Sequence, residues 1–362
     1  MSNVQQLKAF LRGQMESFLA TPYPQTHEGA VWSLDWLPAN GNAGEALLSR
    51  TARRTALDYL GGIQAAGCGA VGIQIQYPLL DDTYPRAAEY LEFYRWAVTE
   101  ARGRGLVVYA ETSPAFAGTG WSGVVWDWGN HDDHVRRRIA QACRIVLELR
   151  PDYLSVTHEP DTERAITGHT LTPADCLGMI AAVAACRDAG GVHTQVGGGL
   201  PVTAAWDGLQ PYDTSAADFI TIHLYTAALM HGRQIVNGFS RLVDYASRLT
   251  KPAIVGEGGL FKAHPLEFAG GVLAIAELYG RDPYVTWETV DAMAIEAFAH
   301  ACNCAPILLV NWFWSQYAFA YYTGSNPDAA HARAVATRAA LRNAGRGRLT
   351  GLGDMVQKVS RQ

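Results

Sequence analysis

Charge is scarce in this chain: 17% of its 362 residues are Asp, Glu, Lys or Arg, and the net charge is −5. No stripe of Lys and Arg stands out, which argues against nucleic acid or another polyanion as a partner. The densest basic run, Arg136, Arg137 and Arg138, lies in a predicted helix and reads as a solvated face. No apolar stretch approaches the length that crosses a bilayer, so no membrane partner is expected. Cys68, Cys143, Cys176, Cys186, Cys302 and Cys304 show no metal-ligand spacing with histidine. Most fall on predicted helices and read as free, buried thiols, and Cys302-Asn303-Cys304 is too tight for an easy disulfide. No metal and no cofactor are expected. An internal repeat and a low-complexity linker are absent too, so nothing argues for a second domain. The opening residues form an amphipathic helix without the apolar centre of a signal peptide. The expected location is the cytoplasm if Met1 is the native start, and extracellular or periplasmic if a leader has been removed. The oligomeric state leaves no trace in the sequence.

What the chain has is apolar residues, 49% of the total, and aromatics, with ten Trp and sixteen Tyr. After the N-terminal helix and the Pro22/Pro24 turn, strands and helices alternate. The predicted strands are 30–37, 70–77, 106–111, 153–157, 194–199, 219–224, 253–255 and 307–313. The predicted helices are 46–66, 87–104, 133–149, 173–188, 234–249, 288–301 and 331–343; Pro201 and Pro211 leave little room for one after strand five. In the first helix Ala56, Leu57, Leu60 and Ile63 share a face, and in the second Tyr90, Leu91, Tyr94 and Val98 do. Eight strand–helix units predict an α/β chain, a (β/α)₈ TIM barrel over 29–345, with an N-terminal helix and lead-in over 1–28 and a tail over 346–362. A doubly wound open sheet is the alternative. It normally carries a Gly-rich phosphate turn after strand one, and Trp32-Ser33-Leu34-Asp35-Trp36-Leu37-Pro38 has none.

Barrel chemistry gathers at the C-terminal ends of the strands. Strand one ends with Asp35 and Trp36, strand two with Gln76 and Tyr77, strand three with Glu111 and Thr112. Strand four ends with His158 and Glu159, strand six with His223 and Tyr225, strand seven with Glu257, strand eight with Asn311, Trp312, Trp314 and Gln316. Alternation puts His223 beside Tyr225, and Trp312 beside Trp314. Glu159 and Glu257 each follow a short apolar run and precede Pro or Gly. Two carboxyls across a scissile bond are the machinery of glycoside hydrolysis, and polar groups mixed with aromatics suit a sugar site. Each residue also has a plainer reading. His223 fits a hydrogen-bonded core, Trp312 and Trp314 fit barrel filling, and Glu111 fits a salt-bridged rim. Gly197, Gly198 and Gly199 read as close strand packing rather than a phosphate cradle.

The ordered set of motifs resembles the retaining β-glycoside hydrolases of clan A, all (β/α)₈ barrels. Their acid/base Glu ends strand four, usually as Asn-Glu-Pro, and their nucleophilic Glu ends strand seven. The matching residues are Glu159 in Thr-His-Glu-Pro and Glu257 in Val-Gly-Glu-Gly-Gly. Ile222-His223-Leu224-Tyr225 is similar to the clan's strand-six His-x-Tyr, whose Tyr holds the nucleophile. The Trp-rich exit of strand eight resembles the clan's aromatic wall at the cleavage subsite. In one place the chain departs from the pattern: the usual Asn before the acid, which contacts the sugar 2-hydroxyl, is His158. The clan's His-Glu β-mannanase branch has the same pair, and the sugar is left open.

The resemblance implies double displacement. Glu257 attacks the anomeric carbon, Glu159 gives its proton to the leaving oxygen, and Glu159 then draws a proton from water. A carbohydrate is the expected partner, with Asp35, Trp36, Gln76, Glu111, His158, His223, Tyr225, Trp312 and Trp314 as substrate-binding candidates. The loop from Trp121 to Trp128 would extend the sugar surface. The inserted stretch from Lys262 to Trp287 would wall off one end of the cleft, favouring exo action or short oligosaccharides. Two rivals stand beside this reading: a metal-dependent, sugar-isomerase-like barrel with Glu159, His223 and Glu257 as ligands, and a barrel that binds glycans without turning them over.

Overall fold

The computed structural model describes residues 3–270 and 276–362. Its strands are β1 Val31–Asp35, β2 Ala70–Gln74, β3 Val107–Glu111, β4 Tyr153–Ser155, β5 Gln195–Pro201, β6 Phe219–Leu224, β7 Ala228–His231, β8 Gln234–Asn237, β9 Ala253–Gly258 and β10 Ile307–Trp312. All but β7 and β8 belong to a closed parallel barrel of order β1-β10-β9-β6-β5-β4-β3-β2. This is the predicted (β/α)₈ class. Every residue of β2, β6 and β9 is buried, as expected of parallel strands covered on both faces.

The α-helices are α1 Asn3–Leu19, α2 Ala52–Ala65, α3 Ala87–Gly103, α4 His131–Arg144, α5 Pro160–Thr167, α6 Pro173–Ala189, α7 Trp206–Asp213, α8 Gly238–Arg248, α9 Ala276–Tyr279, α10 Glu288–Cys304, α11 Ala329–Ala344 and α12 Gly351–Val359. Their starts are written in the sequence. Asn130, Asn237, Asp328 and Thr350 each accept a backbone N–H of the first turn, and Thr172 with Asp175 forms a capping box ahead of Pro173. Ala56, Leu60 and Ile63 of α2 are buried, as are Tyr90, Leu91, Tyr94 and Val98 of α3. Among the described residues no helix is long and apolar enough to cross a membrane.

Several expectations need correction. The helix predicted from Ala46 begins at Ala52. Residues Gly41–Leu48 wind as 3₁₀ turns, broken at Gly44 (φ 53°, ψ −129°) and closed by the extended Ser49. The helix predicted from Gln234 begins at Gly238, because Gln234–Asn237 pairs antiparallel with Ala228–His231 across a turn that Gly232 enters at φ 60°. After β5 a short helix, α7, does form and holds Pro211 within it. The stretch from Lys262 to Trp287 includes residues 271–275, which lie outside the described residues.

One pair of cysteines departs from the expectation of free thiols. Cys143 on α4 and Cys186 on α6 form a disulfide, with Cα atoms 5.8 Å apart. The two helices pack side by side, a long-range neighbourhood that residue spacing does not encode. Cys68, Cys176, Cys302 and Cys304 are free and buried, as expected.

The glycines of β5 allow close backbone approach. A Cβ on Gly197 would lie 2.5 Å from the Phe219 carbonyl oxygen, and one on Gly199 only 1.8 Å from that of Thr221. Two compact units share the chain: one takes in β1 as far as Leu34 with β9 and β10, the other β2 to β5, and β6 passes from the second to the first after Ile222.

Candidate active site

In the unit that carries β2 to β5, the strand exits hold a buried polar group. Glu111 ends β3, is fully buried, and accepts hydrogen bonds from Gln74 Nε2 at 2.5 Å and from the Tyr109 hydroxyl. It is no exposed rim residue, which corrects one of the two sequence readings. A Glu111 carboxylate oxygen and a ring nitrogen of His158 lie within 4.8 Å. Asp35 is buried, and burial together with the charge of Glu111 raises its carboxyl well above the ordinary value, although Asn40 hydrogen-bonds to it. Asp35 Oδ1 and Gln76 Oε1 are buried with no hydrogen-bond partner among the described residues. Such atoms suit the hydroxyls of a polar ligand. Trp36 is engaged elsewhere: its indole N–H donates to the Ala56 carbonyl of α2 at 2.8 Å, and its ring lies 6.4 Å from Trp96 of α3.

Glu159 is half-buried and stands at the N-cap of α5, with Pro160 opening the helix. Thr162 Oγ1 donates to Glu159 Oε2 at 2.6 Å, and the Glu163 amide donates to the Glu159 carbonyl at 3.0 Å. Neither α5 nor these partners was predicted. Arg138 corrects the picture of a solvated basic face. Arg136 is exposed and pairs with Asp133, whereas Arg138 is 1% exposed and forms a buried ion pair with Glu163. Burial alone would raise the Glu163 carboxyl, but Arg138 and His134 hold it down at about 2. Burial lowers the His134 imidazole against the pull of Glu163. The signal for these groups was available: His134, Arg138 and Gln141 fall at i, i+4 and i+7, one face of α4, and all three are buried.

In the other unit, Glu257 lies in β9 and is 9% exposed. The Tyr225 hydroxyl donates to Glu257 Oε2, and His223 Nδ1 lies 3.5 Å from the same oxygen. An aromatic wall surrounds this group. The Tyr225 ring lies 4.9 Å from Trp314 and 5.1 Å from Phe261, and Phe261 is 5.3 Å from Trp314. Trp312 and Trp314, expected side by side, part company. Trp312 meets Phe298 of α10 edge-on at 6.2 Å, while Trp314 joins Tyr225. The strand ends at Trp312, so alternation no longer governs Trp314.

Behind Trp314 sits a buried charge cluster. Lys262 Nζ is 2.7 Å from Asp291 and 3.5 Å from Asp282, and 5.6 Å from the Trp314 ring. Burial opposes the Lys262 charge, yet Asp291 and Asp282 outweigh it and raise the ammonium above its ordinary value. Burial lifts Asp282 to about 6, against the pull of Lys262 and with help from Asp291.

No family model and no curated protein matches the chain. Solved structures do. The exo-β-1,4-mannosidase of Opitutaceae bacterium strain TAV5 is 14% identical, with a TM-score of 0.61 over 94% of this chain and 61% of that one. A GH5_18 protein of Bifidobacterium longum subsp. longum, solved in complex with Manβ1-4GlcNAc, is 15% identical, with a TM-score of 0.58 over 92% and 78% of the two chains. A family 5 xyloglucanase of Paenibacillus pabuli is 13% identical, with a TM-score of 0.55 over 93% and 99%. The chain thus spans 61% of the mannosidase's length. At these identities the likeness is one of fold, and the fold is the one that the sequence resemblance implied.

Proposed function

We propose that this protein is a retaining β-glycoside hydrolase, with Glu257 as nucleophile and Glu159 as acid and base. The observation that carries the reading is the arrangement at Glu257. A phenol donates to one carboxylate oxygen and an imidazole nitrogen stands beside it, which fixes the oxygen and stabilises the charge that has to attack. Glu159 supports the second role, since it sits at a strand exit, half-open to solvent, with Thr162 orienting one oxygen. In a closed parallel barrel all strands end on one face. The strand order leaves β6 and β5 between β9 and β4, and retaining chemistry then asks for about 5–5.5 Å between the two carboxyls.

In the first step Glu257 attacks the anomeric carbon while Glu159 protonates the leaving oxygen. In the second, Glu159 takes a proton from water as that water attacks the same carbon and frees Glu257. The aromatic wall of Tyr225, Phe261 and Trp314 is the sugar platform, and the unmatched Asp35 and Gln76 oxygens bind hydroxyls. The partner is a carbohydrate. The His158-Glu159 pair and the mannose-directed proteins among the similar structures make β-mannosides the first substrates to try. The Cys143–Cys186 disulfide favours an oxidising compartment.

A panel of aryl β-glycosides and soluble β-glycans, read by product size, tests the activity. Glu159→Ala tests the acid: the loss should be greatest on poor leaving groups, and equal loss on good and poor ones would remove Glu159 from that role. A second reading has its own observation. Glu111 near His158, and His223 near Glu257, are carboxylate–imidazole pairs that a divalent cation accepts. Activity abolished by a chelator and restored by a divalent metal would favour it.

A further inference from the structure

We propose that Arg138, clamped by Glu163 and His134, is a positioning residue that sets where the Glu159 carboxyl stands; the inference rests on Glu159 being the acid and base. One guanidinium ties together three pieces of backbone. Its Nη2 donates to the Thr112 carbonyl just past β3 at 2.8 Å and to the Val156 carbonyl just past β4 at 2.7 Å. Its Nη1 donates to Glu163 Oε2, in the first turn of α5. That turn begins at Glu159, whose carbonyl accepts the Glu163 amide. Only Thr157 and His158 separate Val156 from Glu159, so the clamp grips the chain on both sides of the carboxyl.

The second oxygen of Glu163 is held as well, by His134 Nε2 at 2.7 Å. His134 in turn meets the rings of Tyr77 and Trp128 edge-on, at 5.6 and 5.9 Å. The same clamp therefore reaches the aromatic loop that follows β3. The arrangement has little slack. Removing one partner leaves a buried, unpaired charge, and Glu163 stays ionised across the working pH range because its carboxyl is held at about 2. Lysine cannot replace the planar fork, since a point charge does not reach two carbonyls and a carboxylate in fixed directions. A strand exit is otherwise free to shift by fractions of an ångström, and misplacing a proton donor by about 1 Å costs on the order of 100-fold.

The test compares Arg138→Lys and Glu163→Gln with the parent on 2,4-dinitrophenyl and phenyl β-D-mannopyranosides, or on the same pair of the sugar that the panel selects. Far-ultraviolet circular dichroism and Tm verify folding. A misplaced acid predicts about a 100-fold loss of kcat/KM on the phenyl glycoside and less than about 3-fold on the dinitrophenyl one, which needs no proton. Equal losses on both, or no loss on either, in a folded variant would overturn the proposal. Should both variants fail to fold, Arg138→Met with Glu163→Leu removes the two charges together, and the same comparison decides. Glu159→Ala, run alongside, separates the two claims. If it shows the leaving-group bias and the clamp variants do not, the clamp alone is refuted. If it shows none, the acid assignment itself falls.

Discussion

The Tyr225 hydroxyl donates to Glu257 Oε2, and His223 Nδ1 approaches the same oxygen at 3.5 Å. The other face of the matter is the ring: Tyr225 also packs on Trp314 and Phe261. Tyr225→Phe removes the donor and keeps the ring. Loss of one donor to a charged group at a reacting centre is expected to lower kcat about 100-fold, with Tm nearly unchanged. Steady-state kinetics on an aryl β-glycoside checks this, and a change below about 3-fold would contradict it.

Gly259 gives a steric test of the wall. A Cβ there would lie 2.6 Å from Trp314 Cζ3 and 3.0 Å from Tyr225 Cδ1. Both rings have neighbours behind them, so neither yields easily. Gly259→Ala should cost about 1–3 kcal/mol in stability through overpacking and raise KM by displacing the platform. Urea unfolding and KM measured together check it; an unchanged KM would separate the wall from substrate binding.

Asp282 predicts a pH dependence. It faces Lys262, Asp291 and Arg333, and its carboxyl is raised to about 6 in the fold. A raised acid contributes stability that is complete below its unfolded value, near 4, and is lost as pH rises through about 6, with at most about 3 kcal/mol involved. Asparagine has no such proton. The stability of Asp282→Asn relative to the parent should therefore improve between about pH 5 and pH 8. Denaturant midpoints at the two pH values measure this, and a constant difference would contradict it.

The Cys143–Cys186 bond closes a loop with a sequence separation of 43 residues. The chain-entropy argument assigns such a loop about 4 kcal/mol. Reduction with dithiothreitol, or Cys186→Ser, should lower Tm by several degrees. An unchanged Tm once thiol titration shows two further free thiols would contradict it.

Much of the barrel was legible because buried parallel strands leave plain apolar runs: the predicted Phe219–Leu224 strand agrees with β6 to the residue. Where pairing partners decide, the reading failed. Gln234–Asn237 holds the β-branched Ile235 and Val236 but is only four residues long, and pairing with Ala228–His231 across Gly232 makes it a strand. The same holds for the disulfide, which depends on two helices lying together. At the candidate site the strand-end residues were readable from position. Of the residues that hold them, the spacing of His134, Arg138 and Gln141 marks one face of α4, but Thr162 and Glu163 act through α5, whose docking no local pattern states. Trp36 and Trp312 show the converse: both sit at strand exits, yet their rings meet the helix layer.

The central claim is that Glu257 forms a covalent bond to the sugar. Incubation with a 2-deoxy-2-fluoro glycoside bearing a dinitrophenyl leaving group, in the configuration that the panel selects, traps that intermediate, and peptide mass mapping locates it. The account predicts one sugar per chain, attached to the peptide that contains Glu257 and absent from Glu257→Ala. A label on another carboxylate, or turnover of the parent substrate with inversion and no adduct, would contradict it.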